Sequence, residues 1–251
     1  MPSWKQHSST PLITLALDTA TPGLSLAVLR DGAALAARTL SPAQGAGRRV
    51  AQEIHDLLTS SGIRVRDVGE IVVGVGPGGF TGLRIGIATA LGLGQALGIA
   101  VRGVASIEAL ALGIVACAPA GTIVAPVIDA KRQEVFAAAY RSDGDGGLQT
   151  VIEPHATSAA ALVQRLDAVA TPASPVYMAG DGLHRLMEVV TSAIVVIPED
   201  SPAHHIDAVV LARRARTGGA RPVSPLYLRL PDAEVTRIRA ARQAAAGTAR
   251  A

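Results

Sequence analysis

An internal duplication is the feature that most constrains the fold of this chain. Residues 12–32 consist of an apolar run, a polar turn and a second apolar run, and residues 123–144 repeat this arrangement. The two segments align without a gap, so that Asp18 falls on Asp129. Two apolar runs separated by a short polar turn are typical of a β-hairpin. The sequence therefore predicts two related lobes, each of which starts with a hairpin.

A second pair of matching segments supports the duplication. Residues 70–76 and 176–182 are short apolar runs that end in Gly-x-Gly and lead into a helical pattern. In the first lobe, apolar residues at helical spacing predict a helix over about 48–60, and a second helix is expected after Gly82. Strands that alternate with helices in this way predict an α/β fold in which helices pack on mixed sheets.

The composition of the 251 residues limits how such lobes are built. Hydrophobic residues make up 49% and aromatic residues only 2%, so Ala, Val, Leu and Ile must fill the core. The single cysteine, Cys117, lies among small apolar residues; it is expected to be buried and cannot form an internal disulfide. The uncharged runs 85–101 and 109–128 are too short, or too interrupted by Gly and Pro, to cross a bilayer. We therefore expect a cytoplasmic protein with no membrane contact.

Residues 74–86 form a glycine-rich turn between a predicted strand and a predicted helix, a kind of turn that can bind anions. They match Gly-x-Gly-x-x-Gly, but no acidic residue follows until Glu108, whereas a dinucleotide site needs one about 20 residues on. They also nearly match a P-loop, except that Phe80 replaces the lysine that binds phosphate. A structural role in a tight turn and in close helix packing is therefore favoured over nucleotide binding. The candidate loop residues are Gly74, Gly76, Gly78, Gly79, Thr81 and Gly82.

The turns of the two hairpins contain a second set of candidate residues. Asp18 and Asp129 resemble the aspartates that organise magnesium and phosphate in actin, hexokinase and sugar kinases. Ala20 and Lys131, however, occupy positions where such a loop would need glycine. Asp18, Thr19 and Asp129 are thus either remnants of phosphate loops or residues of turns that the aspartates cap.

Neither a metal site nor a nucleophile is indicated by the sequence. His55 lies beside an aspartate, two other histidines are adjacent to each other, and no Cys/His set has the spacing of metal ligands. No serine lies in a Gly-x-Ser-x-Gly motif. We therefore expect no catalytic residue and no metal.

Two surface features leave alternatives open. The segment 81–99 is apolar on nearly all sides and rich in Gly and Ala, so it is either buried within its lobe or presents one face to a partner. The arginines near the end of the chain form either a solvated helical face or contacts to phosphate. They are Arg213, Arg214, Arg216, Arg221, Arg229, Arg237, Arg239 and Arg242.

Four sequence blocks resemble a known family. LALDTATPGLSLAVLRDG, VGVGPGGFTGLRIGIATALGLGQALGI, VIDAKRQEVFAAAY and PLYLR are similar to the successive signatures of TsaB, formerly YeaZ, over about residues 12–235. The resemblance implies a two-lobed actin-like ATPase (ASKHA) fold with duplicated βββαβα-type lobes. The implied parts are a disordered N-terminus (1–11), an N-terminal lobe with dimerisation helices (12–105), a C-terminal lobe whose last helix packs back on the first (106–229), and a tail (230–251).

The same resemblance implies a function. TsaB proteins are partners of TsaD, which carries a metal and transfers threonylcarbamoyl to N6 of adenosine 37 in tRNAs that read codons beginning with A; the ATPase TsaE joins the assembly. The chain is thus expected to be a non-catalytic subunit that binds TsaD, forms a homodimer when alone, and reaches tRNA only through the complex. No cofactor is expected on the chain itself, and ATP or ADP only at the level of the complex. Two helices of the first lobe would supply the partner surface, with the residues Val50, Ile54, Leu57, Leu83, Arg84, Ile87 and Leu91.

The chain departs from the family before its first helix, where residues 44–50 read QGAGRRV instead of the usual His-Ser-Glu. Three other functions stay open. A small-molecule kinase of the same fold would use Asp18, Asp129 and the glycine turn, and would be recognised by phosphoryl transfer from ATP. A peptidase lacks support from any Ser-His-Asp or metal set and would be recognised by hydrolysis of casein. A tRNA-binding module would use the late arginines and would show salt-dependent binding by the isolated chain.

Overall fold

The structure, a computed structural model, describes residues 11–41, 49–143, 147–171 and 173–229 of the chain. The sheet of the first lobe contains β1 Ile13–Asp18, β2 Leu24–Arg30, β3 Ala33–Leu40, β4 Glu70–Gly74 and β5 Ala100–Val104. These strands lie in the order β3-β2-β1-β4-β5. Strand β1 pairs antiparallel with β2 and parallel with β4, so the sheet is mixed.

The sheet of the second lobe repeats this topology. It contains β6 Ile123–Lys131, β7 Glu134–Ser142, β8 Leu148–Ser158, β9 Val176–Ala179 and β10 Ile194–Val196. Their order is β10-β9-β6-β7-β8, in which β6 pairs antiparallel with β7 and parallel with β9. Two mixed sheets with the same strand order confirm the α/β fold class and the duplication.

The helices that the described ranges contain are α1 Val50–Ser60, α2 Phe80–Leu97, α3 Ser106–Val115, α4 Ala159–Asp167 and α5 Ala208–Arg214. Helix α1 agrees with the helix expected over 48–60, and α2 begins at Phe80, slightly before the expected position. The helix expected after 176–182 is wrong, since only a 3-10 turn follows β9 there. Residues 180–193 connect β9 to β10, whereas 75–99 connect β4 to β5, so the second lobe has no room for a counterpart of α2.

Helices cover both faces of the first sheet. Because successive side chains of a strand point to opposite faces, Leu15 and Leu17 of β1 pack in one core with α1 and α2. Ala16, between them, packs on the other side with α3 and α5. Helix α5 contacts β1 and β2, while α3 contacts both α5 and strand β6 of the second lobe. The two lobes therefore share a continuous core through α3 and α5.

Cys117 is exposed, which corrects the expectation that it is buried. It follows the end of α3, in the turn that leads towards β6, so its small apolar neighbours belong to a helix end and not to the core. In the part of the chain that the structure describes, no helix has both the length and the apolar character that crossing a membrane requires. Three segments discussed above lie outside the described residues: the expected tail 230–251, nearly all of the expected N-terminal segment 1–11, and residues 44–48.

Candidate functional site

The glycine-rich turn lies between β4 and α2 and packs directly on the turn of the first hairpin. Gly79 N donates a hydrogen bond to Ala20 O at 2.8 Å, and Thr19 Oγ1 donates one to Gly82 O at 2.7 Å. A Cβ atom on Gly78 would overlap the carbonyl oxygen of Ala20, and one on Gly82 would overlap that of Thr19. Glycine is therefore required at both positions for the two backbones to meet.

The other members of the turn have different roles. Gly74 ends β4 beside Asp18, where a Cβ atom would overlap the carboxylate. Gly76 has a φ of 101°, a backbone conformation that L side chains rarely adopt. Thr81 lies in the first turn of α2 and is exposed. The turn thus needs glycine for close packing at some positions and for its backbone conformation at another.

Asp18 is a buried carboxylate that ties three segments together. Its Oδ2 accepts a hydrogen bond from Ser106 Oγ at 2.5 Å, and its Oδ1 accepts one from Ala20 N at 2.8 Å. Ser106 Oγ in turn accepts from Gly76 N at 3.0 Å. Burial raises the pKa of Asp18, against the opposing effect of these hydrogen bonds. Asp18 therefore caps its own turn and anchors the glycine turn to the start of α3.

Asp129, the counterpart of Asp18, is held by two cations. Arg185 Nε contacts its Oδ1 at 2.5 Å, and Lys131 Nζ contacts its Oδ2 at 2.7 Å. Burial acts to raise the pKa of Asp129, but the hydrogen bonds from Arg185 and Lys131 outweigh it and hold this pKa well below its ordinary value. Both carboxylates of the candidate phosphate loops are thus engaged by groups of the chain itself.

Asp181 and His204 belong to the same region but were not among the predicted residues. Asp181 Oδ1 accepts a hydrogen bond from Asp129 N at 3.0 Å, and burial raises the pKa of Asp181. Gly180 N donates to His204 Nδ1 at 3.2 Å, while His204 Nε2 lies 2.9 Å from Pro198 O. Asp181 is the middle residue of the second Gly-x-Gly and could have been singled out for that reason. No local pattern marks His204.

A cavity of about 340 Å³ lies between the two hairpin turns. Lys131 and Arg229 contribute positive charge to its wall, and Asp129 and Asp181 contribute negative charge. Of the predicted site residues, the structure brings together Thr19, Gly78, Gly79, Thr81, Gly82 and Asp129 around this cavity. Asp18 lines an adjacent cavity of about 330 Å³ together with Asp181 and His204.

Most of the residues predicted for the partner surface are buried in their own lobe, which corrects that prediction. The exposed fraction of these side chains is 0% for Leu83 and 6% or less for Val50, Ile54, Leu57 and Ile87. In α1 they face the sheet because apolar positions recur every three or four residues, whereas α2 is apolar on nearly all sides and is oriented by its packing against β4. Arg84 and Leu91 alone among the predicted seven are exposed.

The outward face of α2 carries a different set of residues, which we call the α2 flank. At 44% exposure, Leu91 is its largest apolar side chain, and around it the flank is small and nearly uncharged. A Cβ atom added to Gly92 would meet no heavy atom within 4 Å. The α2 flank consists of Arg84, Ala88, Leu91, Gly92, Gln95 and Ala96.

Three of the late arginines form ion pairs within the chain. Arg214 Nε lies 2.8 Å from the Glu108 carboxylate, and the Arg221 guanidinium lies 3.4 Å from the same carboxylate. Arg229 contacts Glu134 at 2.8 Å. Within the described ranges, no cluster of three or more His, Cys, Asp or Glu side chains could hold a metal ion.

We expect Asp18→Asn to be at least as stable as the unaltered chain at neutral pH, whereas Asp18→Ala should be less stable by about 1–3 kcal/mol. The amide oxygen can still accept from Ala20 N, and the amide nitrogen can donate to Ser106 Oγ, which reverses the direction of the present Ser106 hydrogen bond. Because burial raises the pKa of Asp18 in the folded state, folding favours the neutral acid. The resulting stability is fully present below the unfolded pKa and is lost as the pH rises through the folded pKa. Thermal unfolding between about pH 4 and about pH 8 measures this difference.

Asp67→Asn serves as a control of opposite sign. Hydrogen bonds from Arg64 lower the pKa of Asp67 to about 2. The stability from Asp67 is therefore present above its unfolded pKa and is lost as the pH falls through the folded pKa. The loss of stability caused by Asp67→Asn should therefore be largest near neutral pH. If Asp18→Asn instead unfolds well below the unaltered chain at neutral pH, the ionised carboxylate supports the fold.

Comparison with known proteins places the chain among relatives of one kind. The model of a family described as TsaD, tRNA N6-adenosine threonylcarbamoyltransferase, matches residues 43–193. An uncharacterised protein of Mycobacterium tuberculosis strain H37Rv is 33% identical over 222 residues, which cover 88% of this chain and 93% of the relative.

Relatives that carry a name agree with this placement. The tRNA threonylcarbamoyladenosine biosynthesis protein TsaB of Bacillus subtilis is 27% identical over 225 residues, covering 88% of this chain and 95% of the relative. The solved structure of YeaZ from Pseudomonas aeruginosa is 29% identical and superposes with a TM-score of 0.69, covering 86% of this chain and all of the other. The described fold and these similarities together show that the chain belongs to the TsaB (YeaZ) family.

Proposed function

We propose that this chain is a non-catalytic subunit in the biosynthesis of threonylcarbamoyladenosine in tRNA, and that it acts by binding TsaD. The TsaB relatives of Bacillus subtilis and Escherichia coli are named as biosynthesis proteins for this modified nucleoside. The matching family model is described as the threonylcarbamoyltransferase itself. A role in this modification follows from these names, and the division of labour between the subunits is our proposal.

The contacts of the cleft support the non-catalytic part of the proposal. A kinase-like site would need the carboxylates of both hairpin turns to be available to magnesium and phosphate. Asp18 is instead bonded by Ser106 and Ala20, and Asp129 by Arg185 and Lys131. Breaking the buried contacts of Asp18 and the Arg185–Asp129 pair to recruit a ligand would be costly, because each freed partner would be left without its counter-charge or hydrogen bond. The Lys131 side chain is mostly exposed and adds less to this cost.

The observation that carries the binding part of the proposal is the α2 flank. Over most of its length this surface offers Ala, Gly and one exposed Leu, and its single charge is Arg84 at the first turns of the helix. Small residues allow the backbone of a second helix to approach closely, and apolar contacts there would be removed from water. An interface of about 800 Å² per partner is ordinary for a stable complex.

The assembly we propose uses the α2 flank in both oligomeric states. The isolated chain forms a homodimer through two copies of the flank, and TsaD replaces one copy in the active complex. Arg84 would pair with a carboxylate of TsaD and fix the register of the packed helices. TsaE joins this complex, any ATP or ADP is bound only there, and tRNA is reached through TsaD.

Reconstitution with purified components tests this function. We expect TsaD and TsaE supplied with threonylcarbamoyl adenylate and tRNA to modify adenosine 37 only when this chain is added, and the chain alone to modify none. Mass spectrometry of nucleosides from the digested tRNA measures the product. Full activity without the chain would contradict the proposed role. ATP-dependent phosphorylation of a small molecule by the chain alone would support the kinase alternative.

A further inference from the structure

The segment 220–229, which we call the strap, follows α5 along the first lobe and reaches the second lobe at Arg229. At its start, Arg221 and Gly103 exchange two backbone hydrogen bonds of 2.9 Å and 3.0 Å, so the strap pairs with the edge strand β5. Further on, Leu226 N donates to Val75 O at 2.7 Å. A Cβ atom on Gly103 would lie 2.8 Å from Pro222 O, so glycine is needed there for the strap to dock.

Tyr227 joins the strap to the start of α2. Its ring lies 4.9 Å from the ring of Phe80, between centroids, and its hydroxyl accepts a hydrogen bond from Arg84 Nε at 3.1 Å. Tyr227 is 40% exposed. Because Arg84 belongs to the α2 flank, the strap and the flank form one continuous surface at this end of the helix.

Arg229 joins the end of the strap to the hairpin turn of the second lobe. Its guanidinium contacts Glu134, the first residue of β7, at 2.8 Å. Just before Glu134, Lys131, Arg132 and Gln133 have φ values of 64°, 51° and 63°, which L side chains rarely adopt. Such a backbone conformation persists only when surrounding contacts hold it. We call residues 131–134 the cleft turn, because Lys131 also lines the 340 Å³ cavity.

We propose that the strap couples the α2 flank to the cleft turn, so that TsaD bound on the flank also fixes the geometry of the cleft. This inference rests on the proposed function, since TsaD is the partner that it names. A partner that covers Arg84 and Tyr227 restricts the strap two residues before Arg229. The ion pair of Arg229 with Glu134 would carry this restriction to the strained cleft turn. The cleft turn is also held by the ion pair of Lys131 with Asp129 and by the hydrogen bond from Arg185 to Gln133 Oε1.

Hydrogen exchange of the full chain tests the coupling. At saturating TsaD we expect the amides of the cleft turn to exchange about three- to tenfold more slowly than in the free chain, although they lie outside the α2 flank. In Glu134→Gln the same protection should be lost while protection of the flank remains. Protection of the cleft turn that persists in Glu134→Gln would mean that TsaD covers this turn directly, and would overturn the coupling.

Affinity gives the reciprocal measurement. Because coupling between two sites acts in both directions, Glu134→Gln should weaken TsaD binding by about three- to tenfold. Glu153→Gln removes the same charge from an exposed position on β8 and keeps the Arg229–Glu134 ion pair, so it should bind as the unaltered chain does. Equal affinities of the two variants would overturn the coupling and leave the proposed function standing. Failure of the unaltered chain to bind TsaD would overturn both.

Discussion

Leu91→Asp should abolish stable association of this chain with TsaD, and with a second copy of itself, while leaving the fold intact. Leu91 is 44% exposed at the middle of the α2 flank, so an aspartate there stays solvated in the free chain. In a helix-to-helix interface the carboxylate would be buried without a partner. We expect the dissociation constant to rise by at least about 100-fold, since an unpaired buried charge costs about 3–5 kcal/mol. Calorimetric titration with TsaD and sedimentation of the isolated chain measure the two associations.

Leu35→Asp is the matched control for this prediction. Leu35 lies on β3, is 41% exposed, and would undergo the same chemical change far from α2 in the sequence. It should bind TsaD as the unaltered chain does. Both variants should keep the far-ultraviolet circular dichroism of the unaltered chain. If Leu91→Asp binds TsaD as tightly as Leu35→Asp does, the α2 flank is not the partner surface.

Aspartate substitutions at the buried residues that the sequence predicts for this surface would give a misleading result. Leu83 is 0% exposed and Ile87 is 6% exposed, and both pack in the cores of the first lobe. An aspartate at either position would destabilise the lobe through an unpaired buried charge. Loss of binding would then report on folding. The exposed position Leu91 separates the two effects.

The architecture could be predicted because its signals are local. The alignment of Asp18 with Asp129 and the periodicity of α1 are visible within short segments. The orientation of α2 could not be predicted in the same way, because Gly and Ala occur on all sides of it and apolar periodicity does not distinguish its faces. Only the packing of α2 against β4 decides that Leu83 points inward and Leu91 outward.

The connections within the site depend on contacts between residues that are distant in sequence. Asp18 is joined to Ser106, 88 residues away, and Arg84 to Tyr227, 143 residues away. Ser106 has no motif around it that marks it as the partner of a buried carboxylate. The residues of the glycine turn favour a structural role for it, but the hairpin backbone that it packs against follows only from the fold.

Gly82→Ala should destabilise the chain by about 1–3 kcal/mol, whereas Gly92→Ala should stabilise it by up to about 1 kcal/mol. Both glycines lie in α2, where alanine is the better helix former, so helix propensity favours both substitutions equally. They differ only in their surroundings. A Cβ atom on Gly82 would overlap Thr19 O, a backbone atom, while one on Gly92 would meet no heavy atom within 4 Å.

The opposite signs of these two changes are a direct test of why the glycine turn needs glycine. In Gly82→Ala, either α2 or the hairpin turn must move, and the hydrogen bond from Thr19 Oγ1 to Gly82 O is strained with it. Thermal and urea unfolding of the isolated chain compare both variants with the unaltered chain. Equal stability of Gly82→Ala and Gly92→Ala would mean that the hairpin turn yields at little cost. The close approach of the two backbones would then not require glycine at position 82. The nucleotide-binding alternative for the turn would again be open.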